Sequence, residues 1–267
     1  MTPLKVGPCT IGDGSLTIIA GPCLAESRDI CLSVGTEVKA LCAEFGFNYI
    51  FKASFDKANR TSSSNVRGFG MDEGLALIHG VGAELGVPTT TDLHTDSQAA
   101  AVAQAVDLLQ IPAFLCRQTD LLQAAAATGK PVNVKKGQFL APWDAKNIVE
   151  KLQGFDANGI MLTERGTSFG YNNLIVDMPG LEIMRSFGVP VCFDATHSAQ
   201  RPGGAGTATG GNRAAIPAMV RAAIAVGIDA LFLEIHPDPD KALSDSATQW
   251  PLARARELFE QIARHQG

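Results

Sequence analysis

Asn48-Tyr49-Ile50-Phe51-Lys52-Ala53-Ser54-Phe55-Asp56-Lys57-Ala58-Asn59-Arg60-Thr61-Ser62-Ser63 is an apolar strand that runs directly into three cations, an amide and a run of hydroxyls. Alternate side chains of a strand share a face, so Lys52 and Ser54 point the same way. The loop behind them adds Lys57, Asn59 and Arg60. Cations that repel one another gather at one mouth when an anion neutralises them, which points to a ligand bearing phosphate or carboxylate. A solvated basic turn is the alternative for such a loop taken alone.

That strand is one of eight. Short apolar runs ending in polar or Gly/Pro residues recur at 16–23, 49–54, 88–93, 107–112, 132–136, 160–165, 190–197 and 230–236. Helix-like stretches separate them. Positions 97–106 are alanine-rich behind an Asp96/Ser97 cap, 120–128 ends at Gly129, and 214–226 ends at Gly227. Glycine just past a helix end supplies the left-handed residue that closes it. Strand and helix alternating over a chain of 267 residues predict an α/β fold, a (β/α)8 TIM barrel forming a single domain over 1–267. An open doubly wound sheet is the second reading, but no Gly-x-Gly-x-x-Gly follows the first strand. Upstream, 5–11, Gly12-Asp13-Gly14 and Leu16 onward read as a hairpin, with residues 1–15 forming part of an N-terminal cap that plugs the barrel. The Gly-rich stretch 201–212 is too long for a tight turn; its glycines permit a mobile lid, or a plain surface loop.

Composition narrows the partners. A net charge of −5 leaves no broad basic surface for nucleic acid or an anionic membrane. No apolar run approaches the roughly 20 residues of a membrane span, and the start Met1-Thr2-Pro3-Leu4-Lys5 has no signal-peptide core. Six cysteines (Cys9, Cys23, Cys31, Cys42, Cys116, Cys192) contain no CxxC pair. Reduced core thiols in a cytoplasmic protein are the expectation.

Active sites of such barrels lie at the C-terminal ends of the strands. Two groups of residues fall there. Lys52, Lys57, Lys135 and Arg165 form a cationic group suited to a ligand with two or three negative charges, with Arg165 able to clamp an anion in bidentate fashion. Each taken alone reads equally as a surface side chain. Cys23, His197, Glu234 and, after the last strand, Asp245 offer a thiolate, an imidazole and two carboxylates. These suit a borderline divalent ion such as Zn2+, Fe2+ or Mn2+. Cys23 as a core thiol and Glu234 as a buried ion-pair partner are the plainer readings. His79 and His265 read as helix-surface residues; His94 and His236 lie near the mouth with no role assigned.

Ala20-Gly21-Pro22-Cys23, FKASFDKANRTS (51–62), Thr91-Asp92-Leu93-His94, QIPAFLCRQTD (110–120), NVKKGQFLAP (133–142), ERGTSFGYNN (164–173), DATH (194–197) and EIHPDP (234–239) resemble, in order, the motifs of the 3-deoxy-D-manno-octulosonate 8-phosphate synthase family. The resemblance runs through the chain and is weakest over residues 1–13. It implies a transferase that condenses phosphoenolpyruvate with D-arabinose 5-phosphate and releases phosphate, on the way to the octulosonate sugar of lipopolysaccharide. Cys23, where metal-free members carry Asn, together with Lys136-Gly137-Gln138 and Ala242-Leu243-Ser244-Asp245-Ser246, resembles the metal-dependent branch. The implied metal ligands are Cys23, His197, Glu234 and Asp245. The implied phosphoenolpyruvate site is Lys52, Ser54, Lys57, Gln138, Lys135 and Arg165. Asn59, Arg60 and Ser62 match the sugar-phosphate site, and Arg117 matches an arginine reaching a neighbouring subunit's site, as in a homotetramer.

In the implied reaction C3 of phosphoenolpyruvate attacks the aldehyde, water adds at C2, and the phosphohemiketal loses phosphate. Lys57 and Arg165 would hold the two anionic ends, a positioning effect. Lys57, Asn59, His197 and Asp245 are the candidate catalytic residues; His197 reads as a ligand before a proton shuttle. Two rivals stand. The related 3-deoxy-D-arabino-heptulosonate 7-phosphate synthases take erythrose 4-phosphate and usually read Lys-Pro-Arg where this chain reads Lys57-Ala58-Asn59-Arg60. A catalytically silent sugar-phosphate sensor is the other.

Overall fold

A computed structural model describes residues 1–58, 66–203 and 210–266. Eight parallel strands follow the eight apolar runs: β3 (Thr17–Gly21), β4 (Asn48–Lys52), β5 (Thr89–Asp92), β6 (Leu108–Ile111), β7 (Val132–Lys135), β8 (Ile160–Glu164), β9 (Val191–Asp194) and β10 (Ala230–His236). They pair in chain order, and β10 closes the cylinder by pairing with both β9 and β3. The strands read as nearly continuous apolar runs because both faces are buried. Ile18, Phe51, Val134, Leu162 and Leu233 face outward onto the helices, while Ile19, Ile50, Leu108, Met161, Cys192, Ala230 and Phe232 fill the barrel's interior. A one-residue slip would exchange these faces and strand Lys52 or Glu234 outside, so the pattern fixes the register.

The outer helices are α1 (Arg28–Phe45), α2 (Met71–Leu85), α3 (Ala99–Ala105), α4 (Thr119–Ala127), α5 (Lys146–Gly154), α6 (Met178–Arg185), α7 (Ala195–Ser198), α8 (Ile216–Val226) and α9 (Ala255–His265). Gly227 ends α8 at φ +101°, as its position predicts. Thr95, rather than Asp96 or Ser97, caps the turn before α3, in a reciprocal box with Gln98. A hairpin of β1 (Leu4–Val6) and β2 (Cys9–Ile11) precedes the barrel. Its turn is Gly7-Pro8, with Gly7 at φ +55°, and 12–16 is the connection into β3. That differs from a turn at Gly12-Asp13-Gly14. Leu4, Val6, Cys9 and Ile11 pack against the interior cluster and plug the N-terminal end. Two surface clefts of about 380 and 460 Å3 also open at that end. Their charged linings include Arg185, already bonded to Asp229, and Lys130 near Asp107.

Candidate active site

The C-terminal ends of the strands bring four cations together. Lys52, at the end of β4, is 1% exposed. Its Nζ donates to Glu234 Oε1 at 2.9 Å, to Ser54 Oγ at 3.1 Å and to the Cys23 carbonyl at 3.4 Å. Lys57 Nζ lies 3.9 Å from the same Glu234 oxygen. Lys135 donates to Asp194 Oδ2 at 2.6 Å and sits 3.8 Å above the Phe232 ring centre. Burial alone would pull the Lys52 ammonium down; Glu234 reverses this and holds it above the ordinary lysine value. Fixed carboxylates therefore neutralise much of the cluster that the sequence assigned to a ligand alone. The exception is Arg165, beyond β8 and 4% exposed. Its Nη2 donates to Gln200 Oε1 at 2.7 Å, but Nη1 is buried with no hydrogen-bond partner among the described residues. Gln138, on the loop after β7, has an equally unpaired Oε1. Each such group costs about 1–3 kcal/mol, which a polar ligand would recover.

Cys23, Glu234 and Asp245 converge beside the cations, with one donor atom from each lying within 4.8 Å of the others. The Cys23 thiol points at Asp245 Oδ2, 3.3 Å away. His197 stands outside that three-way group, yet its Nε2 is 3.6 Å from Glu234 Oε1 and 3.7 Å from Asp245 Oδ2. Its Nδ1 lies 2.7 Å from Asp194 Oδ2. Asp194 can only accept there, so Nδ1 carries a proton, and Nε2 is left facing two carboxylates across a gap in which a cation would sit among all three. Carboxylate behind imidazole is the usual support of a histidine ligand. Glu234 Oε2 is buried without a hydrogen-bond partner among the described residues. A soft sulfur, an imidazole nitrogen and two carboxylates thus fit a divalent transition-type ion. Burial, with Glu234 next, pushes the Cys23 thiol well up, so an ion would have to displace its proton.

Asp245 has φ +48°, a left-handed conformation uncommon outside glycine. Its carbonyl accepts from Thr248 N and Gln249 N, at 3.0 and 3.1 Å. Gln249 spans the two ligand loops, accepting from Cys23 N at 3.1 Å and donating to the Ser244 carbonyl at 2.8 Å. The sequence pattern holds no hint of this brace. It also passed over Asp92 as a site residue. Asp92 Oδ2 accepts from Ser54 Oγ in a very short hydrogen bond, and Oδ1 accepts from Gln110 Nε2 at 2.7 Å. Asn133 Nδ2 donates to Gln110 Oε1, and Thr163 Oγ1 to Asn133 Oδ1. A polar ladder therefore crosses from the loop after β4 through β5, β6 and β7 to β8, beneath the cations. Burial pushes the Asp92 carboxyl up, but Lys52 and Lys57 outweigh it and hold it well below the usual range. Among the described residues of the mouth, four carboxylates (Asp92, Asp194, Glu234, Asp245) face four cations. A divalent ion there would leave positive charge to spare for an anionic substrate.

Other candidates fall elsewhere. Ser54 bridges Lys52 and Asp92, so both its neighbours are already protein groups. Lys136 points outward from β7 into a buried pocket, 3.4 Å from Glu164, and donates to the Leu140 carbonyl at 3.0 Å and Thr167 Oγ1 at 3.1 Å. Arg117 is exposed, and among the described residues no hydrogen bond or ion pair ties its side chain to the site. Cys116 is fully buried, as a core thiol would be, while neighbouring Phe114 is 57% exposed. Asn59, Arg60 and Ser62 lie outside the described residues, as does 204–209 of the Gly-rich stretch.

The chain matches the DAHP synthetase I family over residues 1–265. It is 53% identical over 264 residues to the 2-dehydro-3-deoxyphosphooctonate aldolase of Cyanothece sp., covering 98% of this chain and 97% of that protein. The aldolase of the same name from Dechloromonas aromatica is 57% identical, covering 92% and 90%. The one from Synechococcus sp. is 55% identical, covering 97% and 92%. The chain belongs to the DAHP synthetase I family. Its phosphooctonate aldolases are the relatives named here, and theirs is the group that the motifs from Ala20 to Pro239 resemble, under its alternative name. For a DAHP synthetase I member the unpaired Arg165 Nη1 and Gln138 Oε1 fall at strand ends, where the barrel presents its chemistry.

Proposed function

We propose that the chain is a 2-dehydro-3-deoxyphosphooctonate aldolase, a transferase that joins phosphoenolpyruvate, D-arabinose 5-phosphate and water into 3-deoxy-D-manno-octulosonate 8-phosphate and inorganic phosphate for lipopolysaccharide biosynthesis. Identity of 53–57% over nearly the whole length of curated relatives of that name carries the reading. Arg165 with its free Nη1, Gln138, Lys57 and Lys135 bind the carboxylate and phosphate of phosphoenolpyruvate. Lys52 and Ser54 support them by holding Glu234 and Asp92 in place. Asn59, Arg60 and Ser62 hold the sugar phosphate. Fixing both substrates makes C3 of the enol face the aldehyde carbon, and the carbon–carbon bond forms as the aldehyde oxygen takes a proton. Water then adds at C2 and phosphate leaves.

We read the enzyme as metal-dependent, with Cys23, His197, Glu234 and Asp245 holding one Zn2+, Fe2+ or Mn2+. The unpaired Glu234 Oε2 and the position of His197 Nε2, 3.6 Å from Glu234 Oε1 and 3.7 Å from Asp245 Oδ2, support that reading. When bound, the ion supplies Lewis acidity toward a substrate oxygen or water. We also take 1–267 as one cytoplasmic domain; no helix among the described residues is long and apolar enough to cross a membrane. A homotetramer whose Arg117 completes a neighbour's site is supported by exposed Phe114, Phe139, Trp143, Phe169 and Tyr171, which follow β6, β7 and β8 in turn.

Phosphate release measured with arabinose 5-phosphate and with erythrose 4-phosphate tests the function. Strong preference for the five-carbon sugar is expected, since a site built to bond a hydroxyl rejects an analogue without it. Equal or better turnover of erythrose 4-phosphate would move the chain to the heptulosonate synthases.

A further inference from the structure

The loop after β10 carries Asp245, and the loop after β3 carries Cys23. Apart from Gln249, a second tie joins these loops on the side away from the cations. Glu26, three residues past Cys23, has a side chain only 6% exposed. Its Oε1 accepts from the Leu243 amide at 2.9 Å, two residues before Asp245. Its Oε2 faces His236 Nε2 at 3.6 Å. His236 is 3% exposed and sits at the end of β10, two residues past Glu234. Its Nδ1 accepts from the Asp238 amide at 3.0 Å, so Nε2 carries the ring proton. That proton is buried, with no hydrogen-bond partner as yet, and the nearby acceptor is Glu26.

We propose that Glu26 is a positioning residue for the divalent ion, its two oxygens drawing the Leu243 amide and the His236 ring toward the Cys23 loop and so setting the distance from Cys23 to Asp245. The inference rests on the metal reading above. A carboxylate can accept from both donors at once. An amide of the same shape has a single acceptor and must leave one of them unmet. The left-handed Asp245 follows the Glu26 tie by two residues, so slack at Leu243 passes directly to a ligand that the backbone holds in an uncommon conformation. Partners that orient ligands in this way typically govern affinity by about 10–100-fold.

The test uses full-length protein stripped by chelation, then titrated with Zn2+ against a chromophoric chelator and with Co2+ by its thiolate charge-transfer absorption. Glu26→Gln is expected to weaken both ions about tenfold, and Glu26→Ala by roughly 10–100-fold. The Co2+–thiolate band should lose intensity in protein that is fully folded by circular dichroism, while the melting temperature of the ion-free Gln variant falls only by the few degrees that one unmet donor costs, a pattern that general loosening would not give. Adding His236→Phe to Glu26→Gln should cost little more, because the amide keeps its single acceptor on the Leu243 amide and the His236 contact is already lost. If Glu26→Ala does not fold, the near-isosteric Gln variant decides. Wild-type affinity in the variants overturns this inference alone. Wild-type protein that binds neither ion overturns the metal reading and this inference with it.

Discussion

Replacing Lys52 by Met should destabilise the ion-free protein by about 3 kcal/mol. Lys52 and Glu234 are 1% and 0% exposed, with Nζ and Oε1 2.9 Å apart. At an effective dielectric near 20 that separation corresponds to an attraction of roughly 5–6 kcal/mol. Removing the lysine also relieves its own desolvation, which offsets part of the loss. Glu234 keeps Lys57 at 3.9 Å, so its charge is not left wholly alone. Breaking one half of a buried pair costs about 3–5 kcal/mol, and the remaining lysine puts this case at the low end. For a chain of this size each kcal/mol moves the melting temperature by about 2–4 °C, so a fall of roughly 6–12 °C is expected. The pH must keep both groups charged in folded and unfolded chains. Glu234 is held low, so its contribution is full above its unfolded value; Lys52 is held high, so its contribution is full below its own. Those limits are about pH 4.3 and 10.4, and pH 7.5 lies well inside them. Urea unfolding midpoints and scanning calorimetry on chelated protein would measure the loss. Adding Glu234→Gln to Lys52→Met should restore much of it, since the stranded charge is then gone. A Lys52→Met protein within 2 °C of wild type would refute the reasoning, as would a double variant less stable than the single one by the full sum.

Other perturbations separate the remaining parts. Gly21→Ala should destabilise by about 3 kcal/mol or more, read from urea midpoints, because its Cβ would fall 1.9 Å from the Lys52 carbonyl oxygen, part of a backbone that cannot step aside. Asp92, held low by Lys52 and Lys57 against its burial, stabilises the fold above its unfolded value near pH 3.9 and loses that contribution as pH falls through its lower folded value. Asp92→Asn should therefore flatten the acid limb of a stability–pH curve, and an unchanged limb would count against the ladder. Cys23→Asn should weaken divalent-ion affinity in a chelator competition, since an amide oxygen replaces a soft thiolate; equal affinity would remove the sulfur from the ligand set. Arg165→Lys should raise the KM for phosphoenolpyruvate about tenfold or more in steady-state assays, because a point charge cannot replace a planar fork.

Much of the fold could be read from the chain because parallel strands buried on both faces are written as uninterrupted apolar runs. The hairpin turn could not. Gly7-Pro8 and Gly12-Asp13-Gly14 both carry turn chemistry, and three-residue strands hold too little periodicity to choose between them. At the site, parity did the work: inward Lys135 enters the mouth while its outward neighbour Lys136 pairs with Glu164 behind it. What stayed hidden was pairing. Lys52 and Glu234 are 182 positions apart, and no local pattern announces which carboxylate meets which lysine. Asp92, Gln110, Asn133 and Thr163 were equally silent, since one polar residue inside an apolar strand looks like noise until neighbouring strands align it. Glu26 and Gln249 act through backbone amides of loops, where sequence carries no geometry.

The closure of the barrel by β10 against β3 also orders events in time. Lys52 and Lys57 leave the ribosome long before Glu234, and at about 5–20 residues per second the delay is on the order of ten seconds or more. During that interval the nascent chain displays the cations without the carboxylate that will answer them, and Cys23 without Glu234 or Asp245, the latter 222 residues downstream. On the metal reading proposed above, a centre drawn from both ends of the chain could not be completed before Asp245 is made. Loading would then be a late event, and a product that stops short of Asp245 would lack one of the four proposed ligands.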